Sequence, residues 1–151
     1  MEARKPAWLW ALVLSSIAAA FFVLLHLIDD FSREGAGIST QVAIAATSGL
    51  LAVTWLLAIS LSIRQEPVGY GVVLVLGFLG AYLALDHAVG LSPSVAAIAQ
   101  TSGVFFAWVI VGVGTVSVLA ALLAGYGLVR DRSSRGPDAL INSAVPTAKE
   151  R

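Results

Sequence analysis

The residues of this chain best equipped for chemistry are its two histidines and the carboxylates beside them, and they fall in two short stretches. His26, Asp29 and Asp30 stand at i, i+3 and i+4, so a helix would carry all three on one face. Asp86 and His87 make the second group. Both groups are embedded in apolar sequence, FFVLLHLIDD and AYLALDHAVG, where an ionisable side chain is costly unless something pairs with it.

Imidazole with carboxylate is a ligand set for a divalent transition metal such as Zn²⁺, Mn²⁺ or Fe²⁺. His26, Asp29, Asp86 and His87 are the candidate ligands, His-x-x-Asp spacing letting one helix deliver two of them. Axial ligation of a haem by two histidines from facing helices is a weaker alternative, carried by no motif beyond the pair. A third chemistry is proton transfer, since imidazole titrates near neutrality and carboxylates paired with histidine are the usual parts of intramembrane proton paths. Against all three stands a structural role as polar helix ends reached by water, which suits Asp30 best, with Arg33 close by as a partner.

Nothing in the chain identifies a catalytic residue. Cysteine is absent, which removes thiol nucleophiles, disulfides and thiolate metal sites. No phosphate loop, no G-x-S-x-G and no H-E-x-x-H occurs. The residues therefore point to a non-enzymatic protein, transporter-like or a subunit of a membrane complex, with an outward-facing His/Asp site. A metal-dependent or haem-binding membrane enzyme built on the same residues is the alternative.

The elements that must position these groups follow from hydropathy. Apolar residues make up 58% of the chain and charged residues 12%, against about 45–50% and about 25% in soluble domains. Four stretches, 7–28, 42–63, 68–89 and 104–128, reach the roughly 20 residues a helix needs to cross hydrocarbon. Lipid offers no partner to an open backbone group, and the runs lack the alternation of a barrel, so the expected fold class is an all-α integral membrane protein, four helices in an up-down-up-down bundle. The first run continues through Phe21 to Leu25 past its small residues, which marks a retained helix rather than a cleaved leader. Nine basic and nine acidic residues cancel, so there is no basic footprint for nucleic acid. Partners are instead the lipid bilayer and, through small-residue helix faces, a homodimer or larger membrane complex.

Arg4, Lys5, Arg64, Arg130, Arg132, Arg135, Lys149 and Arg151 fall on one side of the four-span arrangement, and Arg33 alone on the other. Positive residues are retained inside, so both termini are expected in the cytoplasm and the protein in the plasma membrane. Residues 130–151, rich in Ser, Arg, Gly and Pro with no apolar period, read as a disordered cytoplasmic tail.

Residues 39–49, STQVAIAATSG, match residues 93–103, PSVAAIAQTSG, at six of eleven positions, which points to two parallel two-helix repeats. In that pairing His26, Asp29 and Asp30 sit at the same depth as Asp86 and His87. Ser39 and Ser92-Pro93 read as helix starts, and 93–128 is too long for one straight span, which predicts a break near 101–103. Thr47, Ser48, Gln100, Thr101 and Ser102 are expected either to wall a polar outer cavity or to bond to their own backbone. Gly80 and Ala84, with Ser117, Ala121 and Gly125, form small-residue faces for close packing, and Gly112 with Gly114 invites a kink.

Overall fold

A computed structural model describes residues 5–33, 38–90 and 93–134. Those residues form five helices, α1 (Ala7–Arg33), α2 (Ile38–Ile63), α3 (Pro67–Val89), α4 (Val95–Thr101) and α5 (Val104–Ser134). No strand occurs among the described residues. Four segments are long and apolar enough to cross a membrane, Ala7–Asp29, Gln41–Ile63, Pro67–Val89 and Val104–Ser133. The helices overrun the expected spans by a few residues, because adding a turn to an existing helix is far easier than starting one. One consequence is a correction: residues 130–134, expected in an unstructured tail, form the last turn of α5, where Ser133 Oγ donates to the Val129 carbonyl at 3.0 Å. The remainder of the expected tail, 135–151, lies outside the described residues.

The expected break in the last span is present. α4 ends at Thr101, and Gly103 takes φ 95°, left-handed backbone that glycine adopts without a Cβ clash, before α5 begins. The start signal differs from expectation by two residues. Ser94, not Ser92, caps α4, its hydroxyl accepting from the Ala97 N–H at 3.2 Å, and Pro93 precedes the helix. Ser39 lies inside α2, which starts at Ile38. The two Thr-Ser-Gly copies thus behave differently, since α2 runs unbroken through Gly49. Nor does α5 break at Gly112 or Gly114. Those two sites admit neighbours instead, the Phe22 ring at Gly112 and the Ala84 methyl at Gly114.

Between α2 and α3 the chain turns within three residues. Gln65 takes φ 61°, the Glu66 N–H bonds the Leu61 carbonyl at 2.9 Å, and the Gln65 N–H bonds Ser62 at 2.9 Å, which together close the helix with a left-handed cap. Pro67 then opens α3, where its missing N–H costs nothing. Lys5 reaches across to the Ile63 carbonyl at 3.1 Å, giving a cationic partner to the negative end of α2.

The bundle is held most extensively by α3 against α5, then by α1 against α5, while α2 packs on α1 and α3. Along α3 and α5 the partners run in opposite order: Tyr70 beside Gly127, Gly77 beside Ala121 and Ser117, Gly80 beside Ser117, Ala84 beside Gly114. The small-residue faces are therefore spent on each other within one chain, and in the described structure they are not a dimer surface. α1 runs past α5 in the same opposed sense, with Trp8 near Gly127 and Phe22 near Gly112. Two apolar clusters fill the interior, one around Val13, Trp55, Leu76 and Val113, the other around Leu12, Tyr70, Val73 and Ala124. Large apolar side chains such as Leu14, Phe21, Leu50, Phe78, Phe105 and Leu122 point outward and are more than half exposed, which in water would be a far larger apolar surface than a soluble monomer tolerates.

Candidate functional site

The two groups of ionisable residues meet at one end of the bundle. His26 on α1 and His87 on α3 stand edge to face, ring centroids 5.1 Å apart at an interplanar angle of 83°. Both are buried, His26 at 3% exposure and His87 at 5%. α1 and α3 touch in few places, and the histidine pair is one of them. Asp29, one helical turn beyond His26, is equally buried at 3%.

His87 is held by a main-chain group. Its Nδ1 lies 2.8 Å from the carbonyl oxygen of Pro93, immediately before α4. A carbonyl only accepts, so the hydrogen is on Nδ1, and in the neutral ring the lone pair is on Nε2. The same bond ties the end of α3 to the segment that starts α4, whose Ile98 is fully buried and anchors the short helix. Gly90, at φ 78°, terminates α3 by donating its N–H to the Asp86 carbonyl.

Asp86 is half-exposed. Successive residues on a helix point about 100° apart, so burying His87 turns its neighbour away. Of Asp30 the backbone alone is described, in the last turn of α1, and its side chain lies outside the described part. Among the described residues no three His, Cys, Asp or Glu side chains gather as a metal site. The four expected ligands thus resolve into a close imidazole pair with a buried carboxylate one turn away. Haem does not fit this arrangement: axial ligation from two faces needs a macrocycle between the rings, and rings in edge contact at 5.1 Å leave no layer for it.

Beside His26 lies a cavity of about 260 Å³ between α1, α2 and α3, walled by Val23, Leu27, Leu51, Trp55, Leu76, Leu79, Gly80 and Leu83. Its lining is apolar apart from His26 and the Trp55 indole. The expected hydroxyl wall is not there. Ser48 donates to the Ile44 carbonyl at 2.7 Å and Thr101 to the Ala97 carbonyl at 3.0 Å, Thr47 and Gln100 face outward, and the Ser102 hydroxyl is buried without a hydrogen-bond partner but does not line this cavity. In apolar surroundings a helix's own carbonyl is the nearest acceptor a Ser or Thr can find. Two groups escaped sequence reasoning, the Pro93 carbonyl and the cavity. The first is main chain and leaves no mark on residue type, and the second lies between side chains of three different helices, which one helix's sequence does not specify.

The opposite end of the bundle collects the basic and aromatic residues. Trp8 packs against Tyr70 at 5.8 Å and Tyr126 at 5.4 Å, and the Arg130 guanidinium lies over the Trp8 ring at 5.7 Å. Lys5 is also at this end, next to the α2–α3 turn that carries Arg64.

No protein-family model, curated protein sequence or solved structure matches the chain. What can be said of its class comes from the helices. Four segments that each match the thickness of a bilayer, with large apolar side chains turned outward, mark a multi-pass membrane protein.

Proposed function

We propose that this is a transporter-like, non-enzymatic plasma-membrane protein whose His26–His87 pair exchanges protons at the outer end of an up-down-up-down bundle. The carrying observation is the burial of two imidazoles in edge contact, with one of them fixed as the Nδ1–H form by Pro93. His87 Nε2 is then the basic atom, and a proton taken there makes an imidazolium beside a neutral aromatic ring, a favourable cation–π neighbour. Two imidazolium rings 5.1 Å apart would repel by about 3 kcal/mol at an effective dielectric of about 20. The pair therefore has room for one added proton, with the Asp29 carboxyl one helical turn from His26. Deeper in the bundle Ser16 and Ser117, both fully buried with hydroxyl oxygens lacking hydrogen-bond partners, offer polar positions toward the other side.

Orientation rests on the basic residues. With Lys5, Arg64, Arg130 and Arg132 at the end opposite the histidines, positive-inside retention puts both termini in the cytoplasm and the pair toward the outside. The two-repeat origin read from residues 39–49 and 93–103 fits α1 and α3 delivering equivalent groups.

The test is proton movement in liposomes holding a pH-sensitive dye. Wild type should dissipate an imposed pH gradient faster than His26→Phe by about tenfold or more, since phenylalanine keeps the edge contact and cannot carry a proton. Equal rates would remove the proposal.

One observation favours a second reading, a subunit of a larger membrane assembly. From Gln41 to Thr54 no residue of α2 is buried, whereas Trp55, Ala58, Ile59 and Ser62 further along are. The open face of that half would be covered by a partner helix in an assembly. Native mass spectrometry of protein released from its own membrane should then show a stable companion chain, and a bare monomer would sink this reading.

A further inference from the structure

We infer that α4 is a hinged strap across the histidine end of the bundle, latched by His87 and able to swing clear of the imidazole pair. Its purpose rests on the proposed proton exchange; its geometry does not. With His26 at 3% and His87 at 5% exposure the rings are closed to bulk water, so a pair that exchanges protons must be uncovered in another state. One route is the cavity beside His26. Apart from that histidine its walls are leucines, a valine, a glycine and the Trp55 indole, and apolar cavities of this kind stay dry. The other route is the segment lying on His87, whose Pro93 carbonyl covers Nδ1.

α4 has the marks of a part that moves as a unit. It is bracketed by two glycines in left-handed backbone, Gly90 at φ 78° and Gly103 at φ 95°. A Cβ added to either would meet nothing within 4 Å, so neither admits a close neighbour as Gly77 and Gly80 do. What they supply is backbone that other residues enter only with strain, and one on each side gives the short helix two pivots. The ends of α4 are satisfied internally, Ser94 Oγ accepting from the Ala97 N–H and the Ser102 N–H donating to the Ile98 carbonyl, so its end groups do not tie it to the bundle.

Little else holds it down. Ile98 is the only buried residue of α4. Among the described residues α5 is the one helix it packs against extensively, and the 2.8 Å bond between His87 Nδ1 and the Pro93 carbonyl is the polar tie from its start to α3. Segments with few buried contacts are the ones that open locally while the rest of a protein stays folded, and lids are drawn from them. Here the latch is itself one of the two rings of the pair. Breaking the bond frees the His87 ring and lifts its cover in one event.

The chain has no cysteine, so a single one introduced into the full-length protein in proteoliposomes reports its own exposure to a membrane-impermeant maleimide. Ile98→Cys should label more slowly than Ala96→Cys, which is exposed on the same helix, yet about tenfold or more faster than Val109→Cys, which is buried in the main apolar cluster of the bundle. Adding His87→Phe, which removes the latch, should speed labelling at Ile98→Cys by about threefold to tenfold, the range of one hydrogen bond, and leave Val109→Cys protected. His87→Gln keeps a donor for Pro93 and should label at the original rate. Labelling at Ile98→Cys no faster than at Val109→Cys overturns the strap even where the phenylalanine variant fails to fold. Equal labelling in the phenylalanine and glutamine backgrounds overturns the latch. Labelling does not depend on transport: the expected pattern without proton flux would remove the proton reading and leave the strap, and flux without the pattern would remove the strap.

Discussion

Replacing Gly77 by valine is expected to cost about 3 kcal/mol or more, enough to prevent assembly of the bundle. A Cβ at Gly77 would stand 2.8 Å from the Ser117 carbonyl oxygen and 2.9 Å from the Ala121 methyl. The first of these is backbone and cannot rotate aside, so α3 and α5 would have to separate along their whole seam. That seam is the most extensive in the molecule. Without water to drive helices together, association in a bilayer depends on close packing, and a gap forfeits it directly. Gly71 is the control on the same helix, since an added Cβ there meets nothing within 4 Å. Gly71→Val should leave the thermal transition, read by tryptophan fluorescence in detergent, nearly where wild type has it. If Gly77→Val and Gly71→Val melt alike, the packing of α3 on α5 described above is wrong.

The second large effect concerns His87, which has two separable duties. As a donor to the Pro93 carbonyl it ties α3 to the start of α4, and as a base at Nε2 it takes part in the proposed proton exchange. Glutamine can keep the first, because its amide N–H reaches a carbonyl, and must lose the second. Phenylalanine loses both and leaves the Pro93 carbonyl without its ring donor. His87→Gln should therefore abolish proton movement in liposomes while holding stability within about 1 kcal/mol of wild type, and His87→Phe should in addition lose about 1–3 kcal/mol. Thermal unfolding of the two variants, measured beside their flux, separates the duties. A His87→Gln protein that still conducts protons would show that the ring is structural.

Much of this architecture was legible beforehand because the bilayer leaves few choices. Continuous apolar runs of bilayer length can only be helices, so all four spans are where hydropathy puts them, within a few residues. The break before α5 was legible too, since 93–128 is too long for one span and Gly103 sits where a left-handed residue is needed. The small-residue faces were visible as faces. Whether they would serve this chain or a second copy was not, because a Gly-x-x-x-Ala pattern specifies close approach without naming the partner.

The site divides the same way. Residue types alone put His26, Asp29, Asp30, Asp86 and His87 at one depth, through the 1.5 Å rise of each helix and the likeness of the two halves. Which of them meet depends on rotation about each helix axis. A turn of about 100° per residue buries His87 and leaves its neighbour Asp86 half-exposed. That rotation is set by the packing of Gly77 and Gly80 on Ser117, nearly two turns or more away from His87 in the sequence of α3. Composition and spacing determined that there are spans, how many, and at which end the ionisable residues gather. The tertiary structure decided that two imidazoles touch, that a main-chain carbonyl orients one of them, and that a cavity lies beside the other. Depth is a property of one helix, but contact is a property of how helices are turned against each other.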